Sequence, residues 1–137
     1  MLTITRRMRF AAAHRLHNPE LTDEENARIY GICNNASGHG HNYVLDVTVA
    51  GEPDPKTGMI MDLSDLKQLL NEVVVSRVDH RHMNHDVDFL AGVIPTAENI
   101  VSRIWDEIEG ALPAGRLVEV KLWETENNVA TRSADER

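Results

Sequence analysis

The sequence predicts an α+β domain, a four-stranded antiparallel sheet with two helices on one face in the order β-β-α-α-β-β. Three observations carry this: two-residue alternation at both ends of the chain, two apolar stripes at helical spacing in its middle, and no internal repeat or linker. At 137 residues one domain, 1–137, is expected. A chain of that size can bury roughly two-thirds of the surface its unfolded form exposes.

The elements follow in order. Leu2, Ile4, Met8, Phe10, Ala12 and His14 take the even positions of the first segment, interrupted by Arg6, while Thr3, Thr5, Arg7 and Arg9 take the odd ones. This is a strand with one buried face. Residues 18 to 32 break the pattern and read as loop, with Thr22 and Glu25 spaced to cap a short helical turn. From His39 the alternation resumes as His39, His41, Tyr43, Leu45, Val47 and Val49, with Asn42, Asp46 and Thr48 opposite. Pro53, Pro55 and Gly58 mark a turn, Met59-Ile60-Met61 is extended, and Asp62 stands as a helix N-cap. Leu63, Leu66, Leu69, Leu70, Val73 and Val74 form the stripe of the first helix. A long loop, Asp79 to Pro95, leads to Thr96 as N-cap of the second, striped by Ile100, Val101, Ile104, Trp105 and Ile108 and closed by Gly110 and Pro113. Val118, Val120, Leu122 and Glu124 share one face of the third strand, Asn127-Asn128 is a hairpin turn, and Val129 to Arg132 forms the fourth. The tail after Arg132 is expected to fray. So small a sheet leaves edges needing cover, which favours self-association.

Composition narrows the function. Hydrophobic residues make up 42 %, yet no apolar run approaches the roughly 18 residues of a membrane span, and Met1 to Arg7 lacks a signal-peptide core. No membrane association is expected. Cys33 is the single cysteine, which rules out an intrachain disulfide and favours a reducing cytoplasm. A net charge of −8 and 4 % aromatic residues lack the basic, stacking surface of a nucleic-acid binder. Arg6, Arg7, Arg9 and Arg15 nevertheless crowd the first segment, either as a solvated strand face or as local partners for a phosphorylated ligand.

The chemistry concentrates in His14 and in Cys33-Asn34-Asn35-Ala36-Ser37-Gly38-His39-Gly40-His41-Asn42-Tyr43. Histidines one residue apart on a strand point to the same side, so His39 and His41 can share one ion. His14, at the end of the neighbouring apolar face, adds a third nitrogen and leaves a fourth tetrahedral position open, the arrangement of a catalytic zinc. A lone histidine on such a face is ordinarily a core residue; three in one register are not so readily explained. Spacing leaves Cys33 open as a fourth ligand, a reactive thiol or an inert buried one. Asp79-His80 is an acid-oriented imidazole suited to proton relay, although His80 and His82 repeat the one-residue spacing of a metal site. Glu124 ends an otherwise apolar strand face, where a carboxylate needs a partner or a task.

Phe10-x-Ala12-Ala13-His14, Cys33-Asn34-Asn35-x-x-Gly38-His39-Gly40-His41-Asn42-Tyr43, Gly58-Met59-Ile60-Met61-Asp62-Leu63, Asp79-His80, Pro95-Thr96-x-Glu98-Asn99 and Trp123-Glu124-Thr125 together resemble the 6-pyruvoyltetrahydropterin synthase / 6-carboxytetrahydropterin synthase family, over nearly the whole chain. The resemblance implies a tunnelling fold that assembles as a homo-hexamer, a dimer of trimers, with active sites between subunits. It implies 7,8-dihydroneopterin triphosphate as substrate. It also implies Zn2+ held by His14, His39 and His41, Cys33 as general base, Asp79 and His80 as its relay, and Glu124 gripping the pterin ring, with Thr96 and Glu98 completing the substrate-binding set.

Ala97 departs from the animal enzymes, which tend to carry a hydroxyl residue there. Five residues, Asn34 to Gly38, separate Cys33 from His39. The 6-carboxytetrahydropterin synthases of queuosine biosynthesis tend to carry three, so the spacer favours the pyruvoyl branch and tetrahydrobiopterin biosynthesis. A non-enzymatic zinc-binding module is the remaining alternative, and it has no need of Cys33, Asp79-His80 and Glu124 together.

Overall fold

β1 (Thr3–His14) and β2 (His39–Ala50) pair antiparallel over their full length, from Thr3 opposite Ala50 to His14 opposite His39. The computed structural model describes residues 1–135. The alternation is realised along most of both strands: Met8, Phe10, Ala12 and His14 of β1 and Tyr43, Leu45, Val47 and Val49 of β2 are buried on one face, whereas Leu2, expected on that face, precedes the strand and is exposed. Their apolar side chains meet Leu66, Leu70, Val74, Ile100, Ile104 and Ile108 from the helices in one continuous core.

Between these strands, where a loop with a short helical turn was expected, lies a full helix, α1 (Asp23–Tyr30), followed by a 3₁₀ turn (Gly31–Asn34). Its capping box is complete. Thr22 Oγ1 accepts the Glu25 N–H and Glu25 Oε1 accepts the Thr22 N–H, both at 3.1 Å, and Asp23, Glu24 and Glu25 complement the helix dipole. Asn26, fully buried, fixes the helix by accepting the Asn18 N–H and donating to the Asn18 carbonyl. The helix lacks an apolar stripe and is therefore hidden from periodicity.

Asp62 caps α2 (Leu63–Leu70) by accepting the Ser64 N–H at 2.7 Å. The helical path continues through a π-helical turn (Asn71–Val75) into α3 (Ser76–Val78). Thr96 caps α4 (Ala97–Glu109), whose Ile100, Val101, Ile104, Trp105 and Ile108 are buried as the stripe requires. Among the described residues no helix is long and apolar enough to cross a membrane.

The sheet has five strands rather than four, in the order β3-β1-β2-β4-β5. The addition, β3 (Arg81–His82), runs parallel to β1 with Ala12 opposite Arg81. Two residues are too few to leave a periodic signal. β4 (Arg116–Thr125) and β5 (Asn128–Ser133) form the expected hairpin, but the turn is Glu126-Asn127, one residue earlier than predicted. A register shift opposite Thr48/Val49 places Leu117, not Val118, on the buried face. A second shift, between Trp123 and Thr125, leaves Glu124 without a partner in β5. The expectation of a frayed tail is not met at Ser133, which closes β5, nor at Ala134, whose N–H bonds the Val118 carbonyl at 2.9 Å; residues 136 and 137, on which it also falls, lie outside the described residues.

Candidate active site

His14 ends β1 opposite His39, where β2 begins, and His41 follows two residues along the same face. The full pairing of the strands therefore brings three imidazoles together. Ring centroids lie 4.6 Å apart for His14 and His39, 5.1 Å for His14 and His41, and 4.8 Å for His39 and His41. One nitrogen from each ring lies within 4.8 Å of the other two.

The His14 Nδ1 is 2.7 Å from the Pro95 carbonyl. A carbonyl can only accept, so Nδ1 carries the proton and Nε2 offers its lone pair to the cluster, 3.1 Å from His39 Nε2. Burial is the first cause lowering the pKa of both His14 and His41, opposed by the Glu124 charge and, for His14, by Pro95. Neutral imidazoles are the metal-binding form. His41 Nε2 is buried with no hydrogen-bond partner, an orphaned atom that a bound cation would satisfy. The donor set fits a divalent metal of zinc type. Beneath the cluster, burial and then Glu124 push the Tyr43 hydroxyl far above its ordinary range, so it stays neutral, 3.5 Å from His14 Nδ1.

The bulge in β4 aims Glu124 toward this cluster, with Oε1 3.6 Å from His41 Nε2. Glu124 also lines a pocket of about 270 Å³ with Leu16, Thr96, Ala97 and Glu98. Three residues assigned to substrate binding thus meet in one cavity beside the imidazoles. Thr96 Oγ1 is engaged as helix cap, accepting the Asn99 N–H at 3.2 Å, and retains its hydroxyl proton for donation.

Cys33 lies half-buried on the 3₁₀ turn. That turn is bound to the chain just after His14: the Leu16 N–H bonds the Cys33 carbonyl at 2.9 Å, Asn34 Nδ2 the Leu16 carbonyl at 2.7 Å, and Arg15 Nε the Asn34 carbonyl at 3.0 Å. The thiol is not part of the three-imidazole group.

Asp79 and His80 follow α3 at the β1 edge, where Asp79 Oδ1 accepts the Ala11 N–H at 2.9 Å and the His80 N–H bonds the Ala11 carbonyl. Asp79 Oδ2 lies 2.9 Å from His80 Nδ1. The Ala11 contact, ahead of that with His80, holds the Asp79 carboxyl below the usual carboxylate range. His80 has a left-handed backbone, φ 60°, and a side chain 82 % exposed. Among the described residues no hydrogen bond joins the dyad to Cys33 within one chain. Among the described residues His80 and His82 belong to no group of three or more metal-type ligands; His82 stacks on His85 at 4.6 Å. Sequence reasoning missed the orienting Pro95 carbonyl, because a backbone acceptor carries no side-chain signature.

Fold and site define a class: a small α+β protein with a three-imidazole metal-type centre beside a carboxylate-bearing pocket. The family model for 6-pyruvoyl tetrahydropterin synthase matches residues 3–135. The chain is 48 % identical over 126 residues to the 6-pyruvoyl tetrahydrobiopterin synthase of Homo sapiens, covering 92 % of this chain and 87 % of that one. With the protein of the same name from Drosophila melanogaster it shares 43 % over 127 residues, 92 % and 76 % of the two chains. The solved structure of Caenorhabditis elegans 6-pyruvoyl tetrahydropterin synthase superposes with a TM-score of 0.92 at 38 % identity, covering 98 % of this chain and 96 % of that one. The chain belongs to the 6-pyruvoyl tetrahydropterin synthase family.

Proposed function

We propose that this protein is a zinc-dependent lyase that converts 7,8-dihydroneopterin triphosphate to 6-pyruvoyltetrahydropterin with elimination of triphosphate, in tetrahydrobiopterin formation. The observation that carries the reading is the union of the His14, His39 and His41 cluster with the Glu124 pocket, in a chain closely similar to named synthases.

In this reading Glu124 accepts hydrogen bonds from the 2-amino and N3–H groups of the pterin, a donor pair matched to a carboxylate. Thr96 and Glu98 border the ring. His14, His39 and His41 would hold the zinc, which when bound would lend Lewis acidity to a substrate side-chain hydroxyl and so acidify the adjacent C–H. Cys33, as thiolate, takes that proton, and the electrons left on carbon pass into the ring or expel triphosphate. The redox change is internal and requires no external oxidant or reductant. Asp79 orients His80 to accept or return protons. The 82 % exposure of His80 supports an assembly in which the dyad serves a site between chains. On that ground we infer a dimer of trimers, and from the single cysteine a cytoplasmic home.

Product analysis after incubation with 7,8-dihydroneopterin triphosphate tests the proposal. Triphosphate and a pterin retaining its three-carbon side chain are the expected products. Acetaldehyde with a 6-carboxypterin would reassign the chain to the queuosine branch, and no triphosphate release would leave a zinc-binding module.

A further inference from the structure

Arg15 and Leu16 leave β1 toward different cavities. Leu16 lines the Glu124 pocket, whereas Arg15 lines a second one of about 290 Å³ on the β3 side, with His17, Ala36, His82, Asn84 and His85. The chain from Ile94 to Thr96 divides the same way: Ile94 borders the second pocket, Thr96 the first, and Pro95 between them binds His14. His14, bonded to Pro95 and followed by Arg15 and Leu16, is therefore flanked in the chain by residues of both cavities. His82 Nε2 reinforces this placement, since a Cβ on Gly38, next to His39, would approach it to 2.9 Å.

The second pocket sets the polar side chains of Arg15, His17, His82 and Asn84 against an apolar wall that includes Pro19 and Val93, and no carboxylate lines it, in a chain of net charge −8. Arg15 is fixed at both ends. Its backbone exchanges two 2.8 Å hydrogen bonds with the Asn84 amide, and its Nε donates to the Asn34 carbonyl. Its two terminal nitrogens make no hydrogen bond or ion pair among the described residues. The Asn84 N–H donates to His82 Nδ1 at 3.2 Å, so the ring proton resides on Nε2 as a free donor. Asn34 Nδ2 lies 3.0 Å from His17 Nδ1 and sets the same tautomer there. His85 stacks on His82 and holds its plane. His82 also borders a neighbouring groove with His80, Arg81 and Asp86, and that carboxylate does not line the second pocket.

A guanidinium fork with two imidazole N–H donors, in a cavity free of carboxylates, matches an extended phosphate chain. We propose that this second pocket is a polyphosphate subsite in which Arg15, His17 and His82 hold the triphosphate of the substrate. The proposal rests on the function inferred above, because a ligand with a ring at one end, hydroxylated carbons in the middle and triphosphate at the other repeats the order of Glu124 pocket, imidazole cluster and Arg15 pocket.

The test titrates metal-loaded protein with inorganic triphosphate and, separately, with neopterin, which lacks phosphate. Arg15→Gln and His82→Phe are each expected to weaken triphosphate binding and raise KM for the triphosphorylated substrate by about tenfold or more, with neopterin affinity and metal content held within roughly twofold. Because Arg15 also ties down Asn34, His82→Phe decides the matter should Arg15→Gln fail to fold. Unchanged triphosphate affinity in folded His82→Phe would overturn the subsite, even if the wild type forms the expected pterin product. Loss of triphosphate affinity in the variants, with no turnover by the wild type, would uphold the subsite and reject the function.

Discussion

His41 Nε2 is a buried ring nitrogen with no hydrogen-bond partner, and such an atom costs about 1–3 kcal/mol unless something coordinates it. It marks the cluster as one that a bound cation would complete, which three histidines in register do not show by themselves. Cys33, by contrast, stands outside that cluster. Cys33→Ala is therefore expected to keep its metal by elemental analysis while losing about 10²-fold or more in turnover, the scale of a lost general base; a metal-free variant would make the thiol a ligand. Glu124 is 23 % exposed and shares its pocket with Thr96 and Glu98. Glu124→Gln, nearly isosteric, should weaken binding of a non-reactive pterin by roughly 1.5–3 kcal/mol, the value of hydrogen bonds to a charged group. Calorimetry on both proteins reads this directly, and equal affinities would leave Glu124 an ordinary strand-end residue. That His14, His39 and His41 share one face was legible from alternation alone. The hydrogen bond that sets the His14 tautomer was not, because Pro95 lies 81 residues away in the chain.

Elements place these residues through their irregularities as much as through their regular geometry. The bulge at Glu124 and the register shift at Val118 both lie in β4, and neither breaks the hydrophobic pattern enough to be seen beforehand. Gly115 opens that strand with φ 73°, and a Cβ there would lie 2.6 Å from Val49 Cγ1 and 2.9 Å from the Ala50 carbonyl. Gly115→Ala should destabilise the protein by about 1–3 kcal/mol from backbone strain and contact with β2, measured by urea denaturation. On the outer face, Arg7 Nε and Nη2 donate to Asp46 at 2.7 and 2.9 Å, and Trp123 Nε1 donates at 3.2 Å, linking β1, β2 and β4. The Arg7 hydrogen bond is the largest cause holding Asp46 below the usual carboxylate range. A depressed folded-state pKa contributes stability that is present above the unfolded value, about 4, and is lost as pH falls through the folded one. Asp46→Asn should thus lower the melting temperature at neutral pH, and the gap to wild type should close in strong acid. A gap constant with pH would remove Asp46 ionisation as its cause.

At the scale of the whole molecule, the sheet ends in two edges, β3 and β5, and His80 projects outward beside Asp79. Exposed edges and an outward His80 both favour assembly. Sedimentation should show a particle of six chains that yields trimers on dilution; a monomer at working concentration would remove the shared-site reading. The sequence by itself determined the strands, the long helices and which three imidazoles share one strand face, because each follows from local periodicity or a local cap. It also carried the family, through motifs in matching order. Tertiary structure alone decided the fifth strand, the α1 helix, the bulge that turns Glu124 toward His41, and the two cavities that Arg15 and Leu16 line. Each of these depends on contacts between segments far apart in the chain, and a side-chain pattern of period 2 or 3.6 has no means of encoding where a distant backbone carbonyl or cavity wall will lie.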